Sequence, residues 1–529
     1  MNDESSLPKQ STPQDPLQPI DRRSFVRWST LAAAAVLAAG ADSVSAEMRG
    51  WPGGDGDTSS GVPATLSIQR SRVADSVVLD SEFASLSFEK SSINRSPVYL
   101  SGDNTDLIGL LNALGGGILR IGANSVDETT WTPDGEGHTN AQVAPTDIAN
   151  FASLIRRCPR WKVIYGVNFR GKDGSTASPT LAAAEAAYAA EHLGRQLLGF
   201  EIGNEPDLYG DGLTYDIFLN GGTLSDGTLI SGWNQFADAI RSSVPHAIFT
   251  GPAASSDSKG WAEEFAASET HKIVLLTEHY YISNYSSAAP SISGMLTYPS
   301  PHLVTALQNL QAVAKANSVP FRIDECNSYF SSKNPAGVSN AFAAALWAID
   351  FIFTNAQYGS SGLNFHNTGN TAGYAAIGET SSVVTAVQPL YYALFFVSQI
   401  FAEGRRGVLL ESTLTVSGVA LTAFVVDSEN GTYVVLNNKD TTNAATVTIT
   451  GFRPFAFRAT VTTLASTGST PAEQLSNLGI YNGGSAITFG EQPVALDGRW
   501  HGIPKELPVF GEHLTVTVAA ATATLIHIC

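Results

Sequence analysis

GFEIGNEPDLYG occupies residues 199–210. An apolar run ends there in Asn204 and Glu205, and Pro206 follows at once. Proline has no N–H to give to a sheet ladder, so a strand arriving at this point has to stop. The stretch therefore reads as a buried strand, residues 197–203, that ends by presenting an amide and a carboxylate to whatever lies beyond it.

Seven further runs have the same character. They are ASLSFE (84–89), ILRIG (118–122), KVIYGVNF (162–169), AIFTG (247–251), KIVLLTEHYY (272–281), PFRIDE (320–325) and GLNFHN (362–367). Helical patterns separate them: Leu303, Leu307, Leu310 and Ala314 recur at helical spacing, as do Phe342, Leu346, Ile349 and Phe353. Apolar strands alternating with amphipathic helices make an α/β fold with a parallel sheet buried on both faces. Eight such strands are the count of a closed (β/α)8 TIM barrel, placed at residues 81–403.

The period changes after residue 404. LTAFVVDSENGTYVVLNN carries Asn430-Gly431 between two β-rich runs, a strong hairpin signal, and TVTIT (446–450) and LTVTV (514–518) alternate strictly. Residues 404–529 are therefore expected to form a C-terminal antiparallel β-sandwich. Residues 47–80 hold a Gly/Asp/Ser-rich lead-in and a β-like segment, ATLSIQRSRVADSVVL, expected to join that sandwich. Residues 1–46 read as a twin-arginine export signal: Arg22-Arg23, the small apolar run TLAAAAVLAAG, then Val44-Ser45-Ala46 as a cleavage site. A membrane anchor is the competing reading, but the run is shorter than the ~20 residues a span needs. A periplasmic or extracellular protein starting near Glu47 is expected.

At 43% hydrophobic and 15% charged residues, the 529-residue chain has the composition of a folded globular protein. Its net charge of -18 opposes encounter with nucleic acid or an anionic membrane, so neither is an expected partner. Cys158, Cys326 and Cys529 are odd in number and widely spaced, which suits neither a zinc site nor a disulfide framework.

All strands of a parallel barrel end on one face, so Glu205 after the fourth strand and Glu325 at the end of the seventh converge there. Two carboxyls flanking one bond are what glycoside hydrolysis uses: one protonates the leaving oxygen, the other attacks the anomeric carbon or activates water. Each residue alone has a plainer reading. Asn204-Glu205-Pro206 is also a solvent-exposed turn, and Glu325 also a strand-end carboxylate paired to an arginine.

EIGNEPDLY, TEHYYISN, RIDECNSYF and the order of the β-domain resemble family 79 of the glycoside hydrolases, a clan A group with bacterial β-glucuronidases and heparanases. The resemblance runs from SFEKSS (87–92) through the C-terminal domain and implies a retaining mechanism. It makes Glu205 the acid/base and Glu325 the nucleophile. It further implies that Asn204 binds the hydroxyl beside the anomeric carbon, that Tyr281 holds Glu325 ionised, and that Glu89 contacts sugar hydroxyls. Tyr281 as a core aromatic and Glu89 as a loop cap remain the alternatives. His279 and Asp324 read as structural support, and Cys326 as inert.

For a uronate, the family supplies donors from a tyrosine and a glycine-rich loop after the nucleophile, with a second tyrosine after the eighth strand. Tyr374 occupies the second position, but Phe330 occupies the first, and Ser331 and Ser332 replace glycines. The expected activity is an exo-β-glucuronidase acting on glycans, 4-O-methylated ends included. The alternatives are another clan A exo-glycosidase such as an arabinofuranosidase, or a catalytically silent glycan-binding protein. No metal or organic cofactor is implied, since the candidate site offers carboxylates, an amide and phenols.

Overall fold

The computed structural model describes residues 61–529 apart from 257, 258, 331, 332, 334, 455, 479, 482, 483 and 510. The predicted export signal, the lead-in through residue 60, Ser331 and Ser332 lie outside the described residues.

Eight parallel strands close into a barrel in chain order: β1 (Ala84–Glu89), β2 (Gly117–Gly122), β3 (Trp161–Val167), β4 (Leu197–Ile202), β5 (Phe249–Ala254), β6 (Ile273–Tyr281), β7 (Phe321–Asn327) and β8 (Leu363–His366). Nearly every residue of these strands is buried, because helices cover the outside and side chains fill the inside. Polar groups tolerated in such a place must be paired, and several are: Arg120, Glu201, Asp324 and Asn364 lie within the barrel at 0% exposure.

Two of the expected strand ends fall elsewhere. β4 stops at Ile202, so Glu205 lies beyond the strand rather than on its last residue. β7 continues past Glu325 to Asn327. Its pairing shows why: Glu278 and His279 of β6 pair with Ile323 and Glu325, skipping Asp324, and β8 skips one residue over the same stretch. β7 thus carries a bulge, one residue more than its neighbours, which re-aims the side chains beside it. Asp324 and Glu325 are adjacent in sequence and would alternate faces in a regular strand, yet both reach the Arg120 guanidinium inside the barrel.

The remaining long strands form an 11-stranded sheet. The N-terminal strand Val62–Arg72 lies inside it, antiparallel to Gly407–Thr415 and parallel to Ala445–Thr450. Residues 404–529 thus contribute antiparallel pairs, as expected, and among the described residues the one parallel pair of this sheet is made by the N-terminal strand, which returns from a distance and needs no tight turn. Leu66, Val434, Val447, Val516 and Ile526, from strands far apart in the sheet order, share one apolar core, so the sheet folds over on itself. The hairpin Leu421–Ser428 and Gly431–Asn438 turns through Glu429 and Asn430, one residue ahead of the expected Asn-Gly pair.

Helix Ala343–Gln357 departs from the expected single apolar stripe: residues 343–356 are all buried. A helix apolar all round is one enclosed on every side. One side packs on the barrel, with Trp347 and Phe351 against Phe365 of β8. The opposite side meets the sheet, where Asp350 accepts from Thr422 Oγ1 at 2.6 Å and Asn437 Nδ2 at 2.8 Å and is ion-paired with Lys439. Phe353 stacks on Phe424 of the sheet.

Candidate active site

The turn after β4 is built around Gly203, whose φ of +79° takes the chain off the strand direction. A Cβ there would meet the Tyr209 hydroxyl at 2.7 Å and Phe169 Cβ at 3.0 Å, so no larger residue fits. Glu205 itself is left-handed, with φ 47° and ψ 52°. That conformation is costly for a residue with a Cβ and is held here by its surroundings. Its N–H donates to Ala253 O at 2.9 Å, and Pro206 then starts the one-turn helix Pro206–Leu208. Proline's preset φ suits that first position, so Pro206 starts the turn rather than stopping the strand. Ser255 pins Asp207 through both carboxylate oxygens, at 2.9 Å and 2.6 Å.

Glu325 reaches the same space from β7. Arg120 Nη1 donates to its Oε2 at 2.7 Å and the Tyr281 hydroxyl to its Oε1 at 2.8 Å. Burial pushes this carboxyl up, but His366, His279, Arg120 and the Tyr281 hydrogen bond outweigh it and hold the pKa at about 2. Tyr281 moves the opposite way: burial and the Glu325 charge push its phenol well above its usual value, so it remains a donor. Arg120 is fully buried and spans the floor of the site, with Nε 2.6 Å from Glu201 Oε1 and Nη2 2.8 Å from Asn204 Oδ1. Asn204 Nδ2 in turn donates to Asn124 Oδ1 at 3.3 Å.

Glu205 and Glu325 each bring an oxygen into a cluster with a ring nitrogen of His279, all within 4.8 Å of one another. His279 Nδ1 stands 2.9 Å from Glu205 Oε1, and its Nε2 stands 3.6 Å from Asp324 Oδ1. Glu89 Oε2 accepts from the Ser125 N–H at 2.9 Å and hydroxyl at 2.6 Å, and its Oε1 lies 3.4 Å from His366 Nε2. Burial opposes the charge on Glu89, but His366 and Ser125 leave its pKa below the usual value. Glu89 thus holds the loop at Ser125 and faces the His366 ring. Tyr374 packs on Tyr281 with ring centroids 5.8 Å apart, and Phe330 stands edge-on to Tyr281 at 5.9 Å. Cys326 is turned to Asn364 O at 3.3 Å and is fully buried.

The proteins this chain resembles are glycoside hydrolases. It is 23% identical over 304 residues to a beta-glucuronidase of Aspergillus niger, across 52% of this chain and 55% of that protein. The chain thus spans about half the length of that relative. Among solved structures it is similar to a 4-O-α-L-rhamnosyl-β-D-glucuronidase of Fusarium oxysporum, with TM-score 0.67 and 17% identity, covering 88% of this chain and 100% of that one. It is also similar to a GH51 arabinofuranosidase of Xanthomonas axonopodis pv. citri, with TM-score 0.59 and 15% identity over 89% and 100% of the two chains. At these identities the structural likeness speaks for the fold: a TIM barrel carrying a β-domain. No family model matches the chain.

Glu205, His279 and Glu325 are the group whose spacing could hold a metal ion among the described residues. Their bonding does not suit one. Glu325 is already neutralised by Arg120 and bound by Tyr281, and His279 spends the facing nitrogen on Glu205.

Sequence reasoning missed Arg120, Glu201 and His366 and set Asp324 and His279 aside. The signal was present: Arg120 interrupts GILRIG, Glu201 interrupts LLGFEI, and Asp324 sits in FRIDE. A charged residue inside an otherwise apolar barrel strand has to find a partner in the interior.

Proposed function

We propose that this protein is a retaining exo-glycosidase that removes terminal β-linked glucuronic acid. The observation that carries the reading is the approach of Glu205 and Glu325 to within 4.8 Å. Carboxyls whose oxygens approach this closely suit the ~5 to 5.5 Å separation of retaining enzymes better than the ~6.5 to 9.5 Å that leaves room for an inverting water.

In the first step Glu325 attacks the anomeric carbon while Glu205 gives its proton to the departing oxygen, so one C–O bond forms as the other breaks. In the second, Glu205 takes a proton from water, whose oxygen displaces Glu325. Arg120 and Tyr281 serve the first step by keeping Glu325 ionised and aimed, and their grip relaxes as its charge is consumed. Asn204, fixed by Arg120 and Asn124, directs its amide toward the hydroxyl next to the reacting carbon. Glu89 and Tyr374 line the sugar site in this reading.

The uronate preference and membership of family 79 rest on the motif resemblance, and the similarity to a β-glucuronidase supports the substrate class. Phe330 favours a second reading, an exo-glycosidase of a neutral sugar, because its ring offers no hydroxyl to a substrate carboxylate. Purified protein assayed on aryl β-glucuronide, its 4-O-methyl and 4-O-rhamnosyl forms, and aryl glucoside, xyloside and arabinofuranoside separates the two. Turnover confined to neutral sugars removes the uronidase assignment. Export through the twin-arginine route belongs to the same proposal, and replacing Arg22-Arg23 with lysines should retain the protein inside the cell.

A further inference from the structure

Tyr209 closes the turn at Glu205 back on itself. After Glu205 the chain makes the single turn Pro206–Leu208, in which the Leu208 N–H donates to Glu205 O at 2.9 Å and the Tyr209 N–H to Pro206 O at 3.2 Å. That reversal returns the buried Tyr209 side chain to Asn204, whose N–H donates to the phenol oxygen at 2.9 Å. The phenol's own hydrogen is left for an acceptor, and it goes to Asp127 Oδ2. Asp127 is itself firmly held. It is fully buried in the segment Asn124–Glu128 that follows β2, and its Oδ1 accepts from the Phe169 and Arg170 N–H groups at 2.9 Å and 3.0 Å. Its backbone oxygen takes the Lys172 N–H and the Ser175 hydroxyl, both at 2.6 Å. Burial raises the Asp127 carboxyl, and burial with the Asp127 charge pushes the Tyr209 phenol well above its usual value, so the phenol stays a donor. The same segment grips the other end of Asn204, where Asn124 Oδ1 accepts from Nδ2 at 3.3 Å.

We propose that Tyr209, braced by Asp127, is a positioning residue for Asn204 and through it sets the contact with the sugar's 2-hydroxyl. This rests on the glycosidase reading above, in which Asn204 directs its amide to that hydroxyl. Asn204 stands between two left-handed residues, Gly203 with φ 79° and Glu205 with φ 47°, so no regular strand conformation holds it. The neighbouring N–H groups go to opposite sides, that of Gly203 to Val167 O at 3.0 Å and that of Glu205 to Ala253 O at 2.9 Å. The Asn204 N–H points between them, to Tyr209. Without the phenol oxygen this buried N–H loses its partner, and the turn regains one only by moving. A moved Asn204 carries its amide off the 2-hydroxyl, a contact that strengthens as charge develops in the transition state. The ring has a packing role that is separable from this. It stacks on Phe169 with centroids 6.2 Å apart and lies under Lys172 Nζ at 4.4 Å, and neither contact uses the hydroxyl.

The test compares Tyr209→Phe with wild type on dinitrophenyl glycosides of the preferred sugar, with and without the 2-hydroxyl. An activated leaving group needs little help from a general acid, which leaves the Asn204 contact as the variable. In Tyr209→Phe, kcat/KM on the parent glycoside should fall about tenfold, while that on the 2-deoxy glycoside stays within about threefold of wild type. Asp127→Asn keeps an oxygen for the two N–H groups and turns its amide toward the phenol, which removes the phenol's acceptor. It should shrink the 2-hydroxyl preference in the same direction, and it decides the matter if Tyr209→Phe does not fold. Lys172→Met strips the cation from the face of the same ring, leaves the hydroxyl in place, and should keep the wild-type ratio of the two rates. Equal losses on both substrates in Tyr209→Phe, no loss on either, or the same loss of preference in Lys172→Met overturns the proposal and leaves Tyr209 a packing residue. Wild type that hydrolyses no aryl glycoside removes the glycosidase reading and this inference with it. Wild-type turnover with an unchanged 2-hydroxyl preference in Tyr209→Phe removes this inference alone.

Discussion

Arg120 and Glu325 meet at 2.7 Å in the floor of the barrel mouth, 205 residues apart in the chain, with the arginine wholly shielded from water. Such a contact holds a carboxylate charged where burial alone would neutralise it. Breaking it should cost stability as well as chemistry. Arg120→Ala leaves Glu201 and Glu325 without their cation, a loss of about 3–5 kcal/mol by analogy with other broken buried pairs. Chemical denaturation checks the figure.

The second donor to Glu325 can be removed more gently. Tyr281→Phe deletes a charge-assisted hydrogen bond of about 1.5–3 kcal/mol, which corresponds to a 10- to 150-fold fall in kcat/KM if the bond acts through the nucleophile. The sign of its pH effect follows. In the proposed reaction Glu325 works as the anion, and with its pKa held at about 2 the wild type should lose activity through this group only as pH falls toward that value. Without the phenol that pKa rises, so the acid limb of the kcat/KM profile should move to higher pH in Tyr281→Phe. A profile that keeps its acid limb would place Tyr281 among the core aromatics.

Glu205→Ala should lower kcat/KM on substrates with poor leaving groups by about 10^2- to 10^4-fold, the usual contribution of a general acid. Activated aryl glycosides should suffer less in their first step. Added azide should restore turnover and yield a glycosyl azide of retained configuration, identified by NMR.

Phe330 stands edge-on to Tyr281, whose hydroxyl donates to Glu325. If the substrate is a uronate, Phe330→Tyr supplies a donor for its carboxylate and should raise kcat/KM on aryl glucuronide by about tenfold. Activity on neutral aryl glycosides should stay unchanged, and an equal rise on both would mean the ring does not face the carboxylate.

The fold was legible because it is written in period. All eight barrel strands lie where apolar runs predicted them, to within a few residues, since burial on both faces leaves little freedom in composition. Glu205 and Glu325 were likewise visible as carboxylates beside strand ends. The interior network was not. Whether Arg120 in GILRIG faces the barrel interior or its helices depends on register, and the bulge at Asp324 reverses the alternation that any strand reading assumes. The left-handed turn at Glu205 was hidden for a similar reason: Pro206 looked like a strand stop, while Gly203 does the turning under Tyr209. Helix Ala343–Gln357 looked amphipathic at four positions and proved enclosed, because sequence spacing says nothing of a second domain against its outer side.

The claim on which the rest depends is that Glu325 becomes covalently bound to the sugar. Incubation with a 2-deoxy-2-fluoro-β-glucuronosyl fluoride, or the neutral analogue matched to the preferred aryl substrate, followed by peptide mass mapping, tests it directly. One adduct on the peptide containing RIDECNSYF, at Glu325, is the predicted result. An adduct at another residue, or continued turnover of substrate with Glu325 replaced by glutamine, would contradict it.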